Sequence, residues 1–313
     1  MAESDTDAVS SGSVAVVIVN WNGYQDTAEC LTSLETLEYP EYEVVVVDNG
    51  STDGSGKRLS ADFPWATFVF NDENRGFGGG CNAGIDCALS IGADYVLLLN
   101  PDAKLSGTTL EELVAVQQET AAGVVGASIT HPEGTIVNSS PVYHPDMFFY
   151  SGYRSNLPLV SGSARDDTDK RWFETDRVEG AGVLLTRDLL RARSETVGYY
   201  LDDSLFMYGE EVELAMWCRK HGETSVVATD AIIEHDSEAS SSRAFQLYYL
   251  TRNRVIIAHR FLEGAERHAF DLLYPLTRGL IAARLLTNGQ RGITRSIGEG
   301  MVDGYRHITG QTK

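Results

Sequence analysis

The sequence predicts an α/β fold in which a mostly parallel central sheet carries helices on both faces. Three continuously apolar runs, at 14–19, 44–47 and 95–99, are typical of buried parallel strands. Segments with the apolar spacing of helices lie between these runs, so strands and helices alternate along the chain. In such sheets ligands bind beyond the carboxyl ends of the strands, and we therefore expect functional side chains at those ends.

A loosely patterned region separates the two halves of the chain. From about 124 to 176 the sequence is rich in Gly, Pro, Ser and aromatic residues, which is typical of loops that form an acceptor site. Before this region we expect helices at about 26–37, 81–90 and 108–119. After it we expect a strand at about 183–186, a helix at 210–220 and a strand at 225–227.

The two ends of the chain differ from its centre. Residues 1–13 are acidic and polar, and they predict a disordered tail instead of a signal peptide. The main domain is expected to span 14–235, and a helical C-terminal extension is expected at 236–313. Within this extension the apolar run 272–286 contains two arginines and is too short to cross a membrane. We expect the run to pack on the main domain, with a position on a bilayer surface as the alternative.

The charge of the chain excludes some classes of partner. The sequence has 25 Lys and Arg against 45 Asp and Glu, a net charge of −20. Nucleic acids and anionic membranes are bound by basic surfaces, so we expect no nucleic-acid partner, no general binding to anionic membranes and only local phosphate sites. Lysine is scarce while Asp and Glu abound, and this asymmetry suggests a halophilic protein that stays in solution in concentrated salt.

The cysteines indicate a reducing compartment. Cys30, Cys81, Cys87 and Cys218 are too few and too scattered for a disulfide framework in a chain of 313 residues. We expect buried apolar thiols instead of zinc ligands. A cytoplasmic location fits these expectations best.

The first motif is a carboxylate directly after the strand predicted at 44–47. At the carboxyl end of a strand, Asp48 can accept a charge-assisted hydrogen bond from the imide N–H of a nucleobase. The alternative is an Asx-turn that closes the strand. The motif alone does not decide between them.

The second motif is a glycine loop, Asn74–Gly84, that opens a helix. Glycines allow the backbone to approach a phosphate or a ribose closely. The stretch 78–83 also fits the dinucleotide fingerprint G-x-G-x-x-A, with Asp102 at a suitable distance. That fingerprint follows the first strand, whereas two strands precede this loop, so an NAD(P)-dependent oxidoreductase is the less favoured interpretation.

The third motif, Asn100-Pro101-Asp102, follows the apolar strand at 95–99. Pro101 keeps Asn100 extended, and residues i and i+2 of an extended chain point the same way. Asn100 and Asp102 can therefore share a divalent cation such as Mg²⁺ or Mn²⁺ with the oxygens of a phosphate. A turn that merely ends the strand is the alternative.

The fourth motif places three carboxylates, Glu210, Glu211 and Glu213, at the start of a predicted helix. Acidic residues at a helix start ordinarily complement the helix dipole. The aromatic segment Leu205–Tyr208 before them makes this cluster more specific.

The fifth motif is a strand-like run that ends in His235. This histidine can bind metal or diphosphate, although a surface histidine is the default interpretation.

Shortly afterwards Arg243, Arg252 and Arg254 concentrate positive charge in an acidic protein. Such arginines suit either the recognition of a diphosphate or intramolecular ion pairs.

Taken in order, these motifs resemble those of the family 2 glycosyltransferases, in particular the rhamnosyltransferase-like branch. The resemblance covers about 14–254 and is carried by Val19-Asn20-Trp21-Asn22-Gly23, Asp48–Gly54, Asn74–Gly78, Asn100-Pro101-Asp102, Gly209–Leu214 and His235. It implies a GT-A fold, a nucleotide-diphospho-sugar donor and a divalent cation. It also implies inversion at the anomeric carbon. Asp48 can accept from the imide of uracil, thymine or guanine, and we expect a UDP- or dTDP-linked donor. The implied acceptor is a glycan, which can be lipid-linked at the cytoplasmic face of the membrane.

The resemblance also implies roles for individual residues. Contacts with the nucleotide sugar are implied for Asn20, Asp48, Asn74, Arg75, Gly76, Gly78 and Asn100. Asp102 is the implied metal ligand, and His235 is its candidate companion. Glu211 takes the position of the general base, which removes the proton of the acceptor hydroxyl as that hydroxyl attacks C1 of the sugar.

Two departures from the family pattern bear on activity. The family's Asp-x-Asp is Asn100-Pro101-Asp102 here, so one charged metal ligand is missing. The usual Glu-Asp-Val-Asp is Glu210-Glu211-Val212-Glu213, and the additional methylene of Glu211 shifts its reactive oxygen. A non-catalytic nucleotide-sugar-binding module is therefore the alternative function.

Overall fold

A computed structural model describes residues 12–131, 136–137, 170–235 and 242–313. The predicted acidic tail lies, up to residue 11, outside the described residues. Most of the loop-rich region predicted at 124–176 lies outside them as well.

The first half of the chain builds parallel strands. Its elements are β1 (Val14–Asn20), α1 (Tyr24–Leu34), β2 (Tyr42–Asn49), α2 (Ser55–Asp62), β3 (Thr67–Asn71), α3 (Gly76–Ser90) and β4 (Tyr95–Leu99). β1 pairs in parallel with β2 and β4, and β2 pairs in parallel with β3. The three apolar runs of the sequence are therefore the central strands, as predicted.

The second half of the chain adds strands of both directions. Its elements are β5 (Ala103–Leu105), α4 (Thr109–Thr120), β6 (Val124–Thr130), β7 (Ile136–Val137), β8 (Trp172–Glu174), β9 (Gly182–Thr186), α5 (Arg187–Val197), α6 (Glu210–His221) and β10 (Ser225–His235). The strand order is β3-β2-β1-β4-β9-β6-β10-β5. β9 runs antiparallel to both of its neighbours, and β10 is parallel to β6 but antiparallel to β5 and β8.

The sheet is therefore mixed, and the expected parallel arrangement holds from β3 to β4 and for the pair β6–β10. A buried strand has the same apolar run whichever way its neighbours point, so the sequence pattern does not reveal strand direction. The segment from 124 onward also begins with a strand, β6, where a loop was expected.

Two apolar layers enclose the sheet because successive side chains of a strand point to opposite faces. Val16 and Ile18 of β1 pack with Leu31 of α1 and with α4. Val17 and Val19 of the same strand pack with α3, α5 and α6. Helices therefore cover both faces, as the sequence predicts.

Three helices form the C-terminal extension: α7 (Arg243–Phe261), α8 (Gly264–Thr287) and α9 (Arg291–Tyr305). Gly300 of α9 packs so closely on α7 that a Cβ there would overlap the carbonyl oxygen of Tyr248. Phe270 and Tyr274 of α8 share an apolar cluster with Leu205 and Val212 of the main domain. The extension is thus packed on the main domain. None of the described helices is both long and apolar enough to pass through a membrane.

Candidate active site

A cavity of about 510 Å³ opens where the carboxyl ends of β1, β4 and β10 face the start of α6. Among the residues that line it are Trp21, Asn49, Asn74, Gly76, Asn100, Asp102, Glu179, Glu210, Glu211 and His235. The structure therefore brings together the second to fifth motifs of the sequence. Asn20, Asp48, Arg75 and Gly78 do not line this cavity.

Asp102 and His235 form a pair at one wall of the cavity. Asn100-Pro101-Asp102 is part of a turn in which the Ala103 N–H donates to the Asn100 carbonyl at 3.2 Å. Antiparallel pairing of β5 with β10 places His235 opposite Ala103. His235 Nε2 then lies 3.2 Å from Asp102 Oδ1 and 3.4 Å from Asn100 Nδ2. The backbone of this motif therefore turns, as in the alternative interpretation, and the side chains of Asn100 and Asp102 both approach His235.

The chemistry of this pair fits a divalent cation. Asp102 Oδ1 is buried and accepts no hydrogen bond from a described residue, and its neighbour at 3.2 Å, His235 Nε2, is itself a metal-binding atom. Within the described ranges no three His, Cys, Asp or Glu side chains are grouped to hold a metal. A cation here would therefore take further oxygens from a bound diphosphate, which is how Mg²⁺ is usually bound at phosphate sites.

Asn20 positions Asp48 from within the core. Asn20 is fully buried, and its Nδ2 lies 2.9 Å from Asp48 Oδ1 and 3.0 Å from Ser55 Oγ. Its Oδ1 accepts from the hydroxyl of Thr27 at 3.0 Å. Asp48 is itself buried behind the cavity wall. The side-chain amide of Asn20 is thus occupied by protein partners, and the base contacts implied for Asn20 and Asp48 remain predictions.

Asn49 organises the loop beside the cavity, a role that sequence reasoning missed. Its Nδ2 donates to Asn74 Oδ1 at 3.1 Å and to the Gly76 carbonyl at 3.0 Å. Its Oδ1 accepts from Asn71 Nδ2 at 2.9 Å and from the Arg75 N–H at 3.2 Å. The side chain therefore fixes the start of α3. In the sequence, only the position of Asn49 next to Asp48 at the end of β2 could have indicated this role.

The glycines at the start of α3 allow close contact with another part of the backbone. Gly76 has φ +75°, and a Cβ there would overlap the carbonyl oxygen of Phe206. The neighbouring Phe77 N–H donates to the same oxygen at 2.7 Å. A Cβ on Gly78 would lie 3.2 Å from the carbonyl oxygen of Asp202. The glycine motif thus packs the start of α3 against the segment that precedes α6.

That segment, Leu205–Gly209, has an unusual backbone. Phe206 has φ 65° and ψ −56°, and the Met207 N–H donates to the Leu205 carbonyl at 2.8 Å. These values describe a γ-turn of the rare, strained hand. Tyr208 also has a positive φ of 66° and Gly209 has φ 109°. Such strain persists only where the surrounding structure holds it in place.

Two residues of α7 hold this strained segment. Asn253 Nδ2 lies 3.1 Å from the Leu205 carbonyl, 2.8 Å from that of Met207 and 2.6 Å from that of Tyr208. Arg252 Nη2 donates to the Leu205 carbonyl at 2.6 Å, and the Arg252 side chain is fully buried. The Arg252 guanidinium is thus occupied by neutral oxygens of the described chain. Through Arg252 and Asn253, the C-terminal extension positions the segment that leads into α6.

Glu211 lies in the cavity with an arginine partner. Arg177 Nη1 donates to Glu211 Oε1 at 3.2 Å, and Arg177 Nη2 donates to Glu179 Oε1 at 3.0 Å. Glu179 lines the same cavity. Arg177 therefore orients two carboxylates towards one space, and no pattern in the sequence indicated this role.

Glu210 has a different environment. It is 4% exposed, lines the cavity, and its Oε1 forms no hydrogen bond within the described part of the chain. Burial, followed by the nearby charge of Glu211, raises the pKa of Glu210 to about 8. This carboxyl is therefore mostly protonated at neutral pH, and it was missed as a distinct group by sequence reasoning.

Glu213 faces the opposite side of α6. Arg193 Nη2 donates to Glu213 Oε2 at 2.6 Å, and both side chains are buried. The hydroxyl of Tyr199 donates to Glu213 Oε1 at 3.2 Å. Glu213 thus anchors α6 to α5 and does not face the cavity.

The mixed sheet with helices on both faces is the GT-A type of glycosyltransferase fold. The chain belongs to the glycosyl transferase family 2, whose family model matches residues 15–172, half of the chain. This membership sets aside the interpretation as an NAD(P)-dependent oxidoreductase.

Two relatives span most of the chain. One is a low-salt glycan biosynthesis hexosyltransferase, Agl10, from Haloferax volcanii, with 27% identity over 87% of this chain and 84% of the relative. The other is an N-acetylglucosaminyl-diphospho-decaprenol L-rhamnosyltransferase from Mycobacterium tuberculosis, with 26% identity over 73% of this chain and 77% of the relative.

A solved structure supports the fold. The mannosyltransferase PcManGT from Pyrobaculum calidifontis, in complex with GDP-mannose and Mn²⁺, superposes with a TM-score of 0.57 at 19% identity. The match covers 94% of this chain and 87% of that one.

Proposed function

We propose that this protein is an inverting glycosyltransferase that depends on a divalent cation. It transfers a sugar from a UDP- or dTDP-linked donor to a hydroxyl of a lipid-linked glycan. The observation that carries this proposal is the cavity of about 510 Å³ in which Asp102 and His235 face the same space as Glu211. The named activities of the two relatives agree with hexosyl or rhamnosyl transfer in glycan assembly.

The donor is held at the Asp102 side of the cavity. Asp102 and His235 would hold Mg²⁺ or Mn²⁺ together with the diphosphate of the donor, and the cation would offset the charge that grows on the leaving group. Asn74 and Gly76 line the cavity beside this pair, so we assign them to the nucleoside side of the donor. Trp21, which is 51% exposed at the cavity, offers an indole face for stacking.

The acceptor is activated at the α6 side of the cavity. The Glu211 carboxylate accepts the proton of the acceptor hydroxyl while the hydroxyl oxygen forms its bond to C1 of the sugar. The bond from C1 to the diphosphate oxygen breaks on the opposite side, so the anomeric configuration inverts. Arg177 keeps the Glu211 carboxylate in place during this step.

The acceptor class is supported by one relative. The name of the mycobacterial relative describes a lipid diphosphate that carries N-acetylglucosamine. We propose an acceptor of the same general class, a glycan on a lipid carrier, and a location at the cytoplasmic face of the membrane.

The test is a panel of nucleotide sugars, each incubated with the full chain in Mn²⁺, in Mg²⁺ and in chelator. Many transferases slowly use water as the acceptor, so we expect release of UDP or dTDP from one donor in the presence of metal only. If a donor binds but no nucleotide is released under any condition, the alternative of a non-catalytic nucleotide-sugar-binding module is correct.

A further inference from the structure

Helix α8 presents an apolar stripe to solvent. Leu272, Leu273, Leu276, Leu280 and Leu286 are between 44% and 73% exposed. At about 100° per residue, Leu272, Leu276 and Leu280 share an arc opposite the buried side chains of the same helix. The outer face of a surface helix is normally polar, whereas these leucines on the outer face of α8 are not covered by the described chain. Contiguous exposed leucines of this kind mark an interaction surface.

The charge around this stripe differs from that of the rest of the protein. Residues 242–313 contain eleven Lys and Arg against five Asp and Glu, although the whole chain has a net charge of −20. Among the described residues of this segment, the ion pairs of Arg and Lys involve Arg260, Arg267, Arg295 and Lys313. Arg284 and Arg291 are exposed without such a pair, where α8 ends and α9 begins. The apolar stripe therefore ends in free positive charge within an acidic protein.

The inner face of α8 approaches the acceptor side of the cavity. Tyr274 and Arg278 are buried on that face. Tyr274 shares an apolar cluster with Val212, the residue that follows Glu211 on α6. The inner face of α8 thus packs near the part of α6 that carries Glu211, and the leucine stripe lies on the opposite, outer face of α8.

We propose that α8 lies on an anionic lipid bilayer, with its outward leucines among the acyl chains and Arg284 and Arg291 at the headgroups. Apolar burial combined with attraction to anionic lipids is how interfacial helices bind membranes. A second copy of the chain is a poorer occupant, because a symmetric contact through this face would bring two basic extensions together. The proposal rests on the proposed function, since a lipid-linked acceptor would then meet the Glu211 side of the cavity at the bilayer surface.

The experiment is flotation of the full chain with vesicles of phosphatidylglycerol or of phosphatidylcholine, in salt at which circular dichroism shows folded protein. We expect binding to phosphatidylglycerol and weaker binding to phosphatidylcholine. The triple variant Leu272→Gln, Leu276→Gln, Leu280→Gln should bind at least about tenfold more weakly, because burial of each leucine contributes to partitioning. The matched control replaces exposed apolar residues of the main domain, Phe70→Gln, Ile91→Gln and Val197→Gln, and should bind like the parent.

The charge component is tested separately with Arg284→Gln, Arg291→Gln. This variant should lose the preference for phosphatidylglycerol while retaining the weaker binding to phosphatidylcholine. Increasing salt should reduce the same preference in the parent, because salt screens exposed charges.

Three results would overturn the proposal: no flotation of the parent with either lipid, flotation of the leucine variant equal to that of the parent, or a dimer in solution that the leucine variant converts to a monomer. Metal-dependent nucleotide release by the leucine variant is measured in parallel and should match that of the parent. If neither the parent nor the leucine variant releases nucleotide while the parent floats with vesicles, the proposed function is wrong and the proposal that α8 binds a bilayer is supported. If release is present while flotation is absent, the membrane surface alone fails.

Discussion

At the level of single residues, three glutamates at the start of α6 occupy three different environments. Glu211 meets Arg177 in the cavity, Glu210 is buried without a hydrogen-bond partner among the described residues for its Oε1, and Glu213 is paired with Arg193 on the far side. Helix geometry separates them, since neighbouring residues project about 100° apart. Each substitution therefore has its own expected consequence.

Glu211→Gln is expected to lower the transfer rate by about 10²–10⁴-fold, because a positioned general base contributes that much. The amide retains the shape of the side chain and loses only its basicity. Donor affinity should stay near that of the parent. The measurement is kcat for transfer together with calorimetric titration of UDP and dTDP.

Glu213→Gln is the matched control for this test. It leaves Arg193 buried without its charged partner, and breaking such a pair costs about 3–5 kcal/mol of stability. We expect a lower melting temperature as its main effect. A Glu211→Gln protein that transfers at the parent rate, beside an inactive but folded Glu210→Gln protein, would move the role of the base to Glu210.

The raised pKa of Glu210 predicts a dependence of stability on pH. Because its pKa is about 8 in the folded protein and 4.5 in an unperturbed glutamate, the folded state binds more protons between these values. The contribution of Glu210 to stability therefore decreases as pH rises from about 5 to about 8. Glu210→Gln should remove this decrease. Urea unfolding at several pH values checks it, and identical pH dependence in parent and variant would contradict it.

At the level of structural elements, apolar runs predicted the strands well and polar segments predicted the helices less well. β1, β2 and β4 coincide closely with buried runs of the sequence, since burial on both faces leaves a continuous apolar signal. α2 was missed because its sequence, Ser55–Asp62, is short and mostly polar and buries only three residues. α3 begins at Gly76, five residues earlier than expected, because contact with Phe206 stabilises a glycine-rich first turn.

The contact between α3 and the γ-turn gives a testable element-level prediction. Gly76→Ala should destabilise the protein and lower transfer, because the new Cβ would overlap the Phe206 carbonyl. Gly92→Ala is the control, since Gly92 has φ +90° but an added Cβ there would meet nothing within 4 Å. Both variants carry the cost of a left-handed backbone, and only Gly76→Ala carries the clash. Equal melting temperatures and equal rates for the two would show that the contact is unimportant.

The reactive groups of the candidate site were predictable from the sequence, whereas the residues that hold these groups in place were not. Asn100, Asp102, Glu211 and His235 each carry a chemical group that the sequence shows directly, and all four line one cavity. Arg177, Asn253 and Asn49 act by holding other groups in place. Such support depends on contacts between distant segments, which no local pattern of a single sequence reveals.

At the level of the whole molecule, charge is distributed unevenly. The net charge of −20 is the sum of −26 on residues 1–241 and +6 on residues 242–313. Unscreened repulsion among the acidic groups disfavours the folded state, so we expect the melting temperature to rise with KCl from low to molar concentrations. Thermal unfolding followed by circular dichroism measures this. A melting temperature that is independent of salt would contradict the halophilic interpretation.

The proposed mechanism depends most on one claim, that Asp102 and His235 hold a cation jointly with the diphosphate of the donor. Calorimetric titration of UDP and dTDP into the parent and into Asp102→Ala, in Mn²⁺ and in chelator, tests this claim most directly. We predict that Mn²⁺ strengthens nucleotide binding in the parent and has no such effect in Asp102→Ala. Equal affinity of the parent in Mn²⁺ and in chelator would contradict the claim and remove the metal from the mechanism.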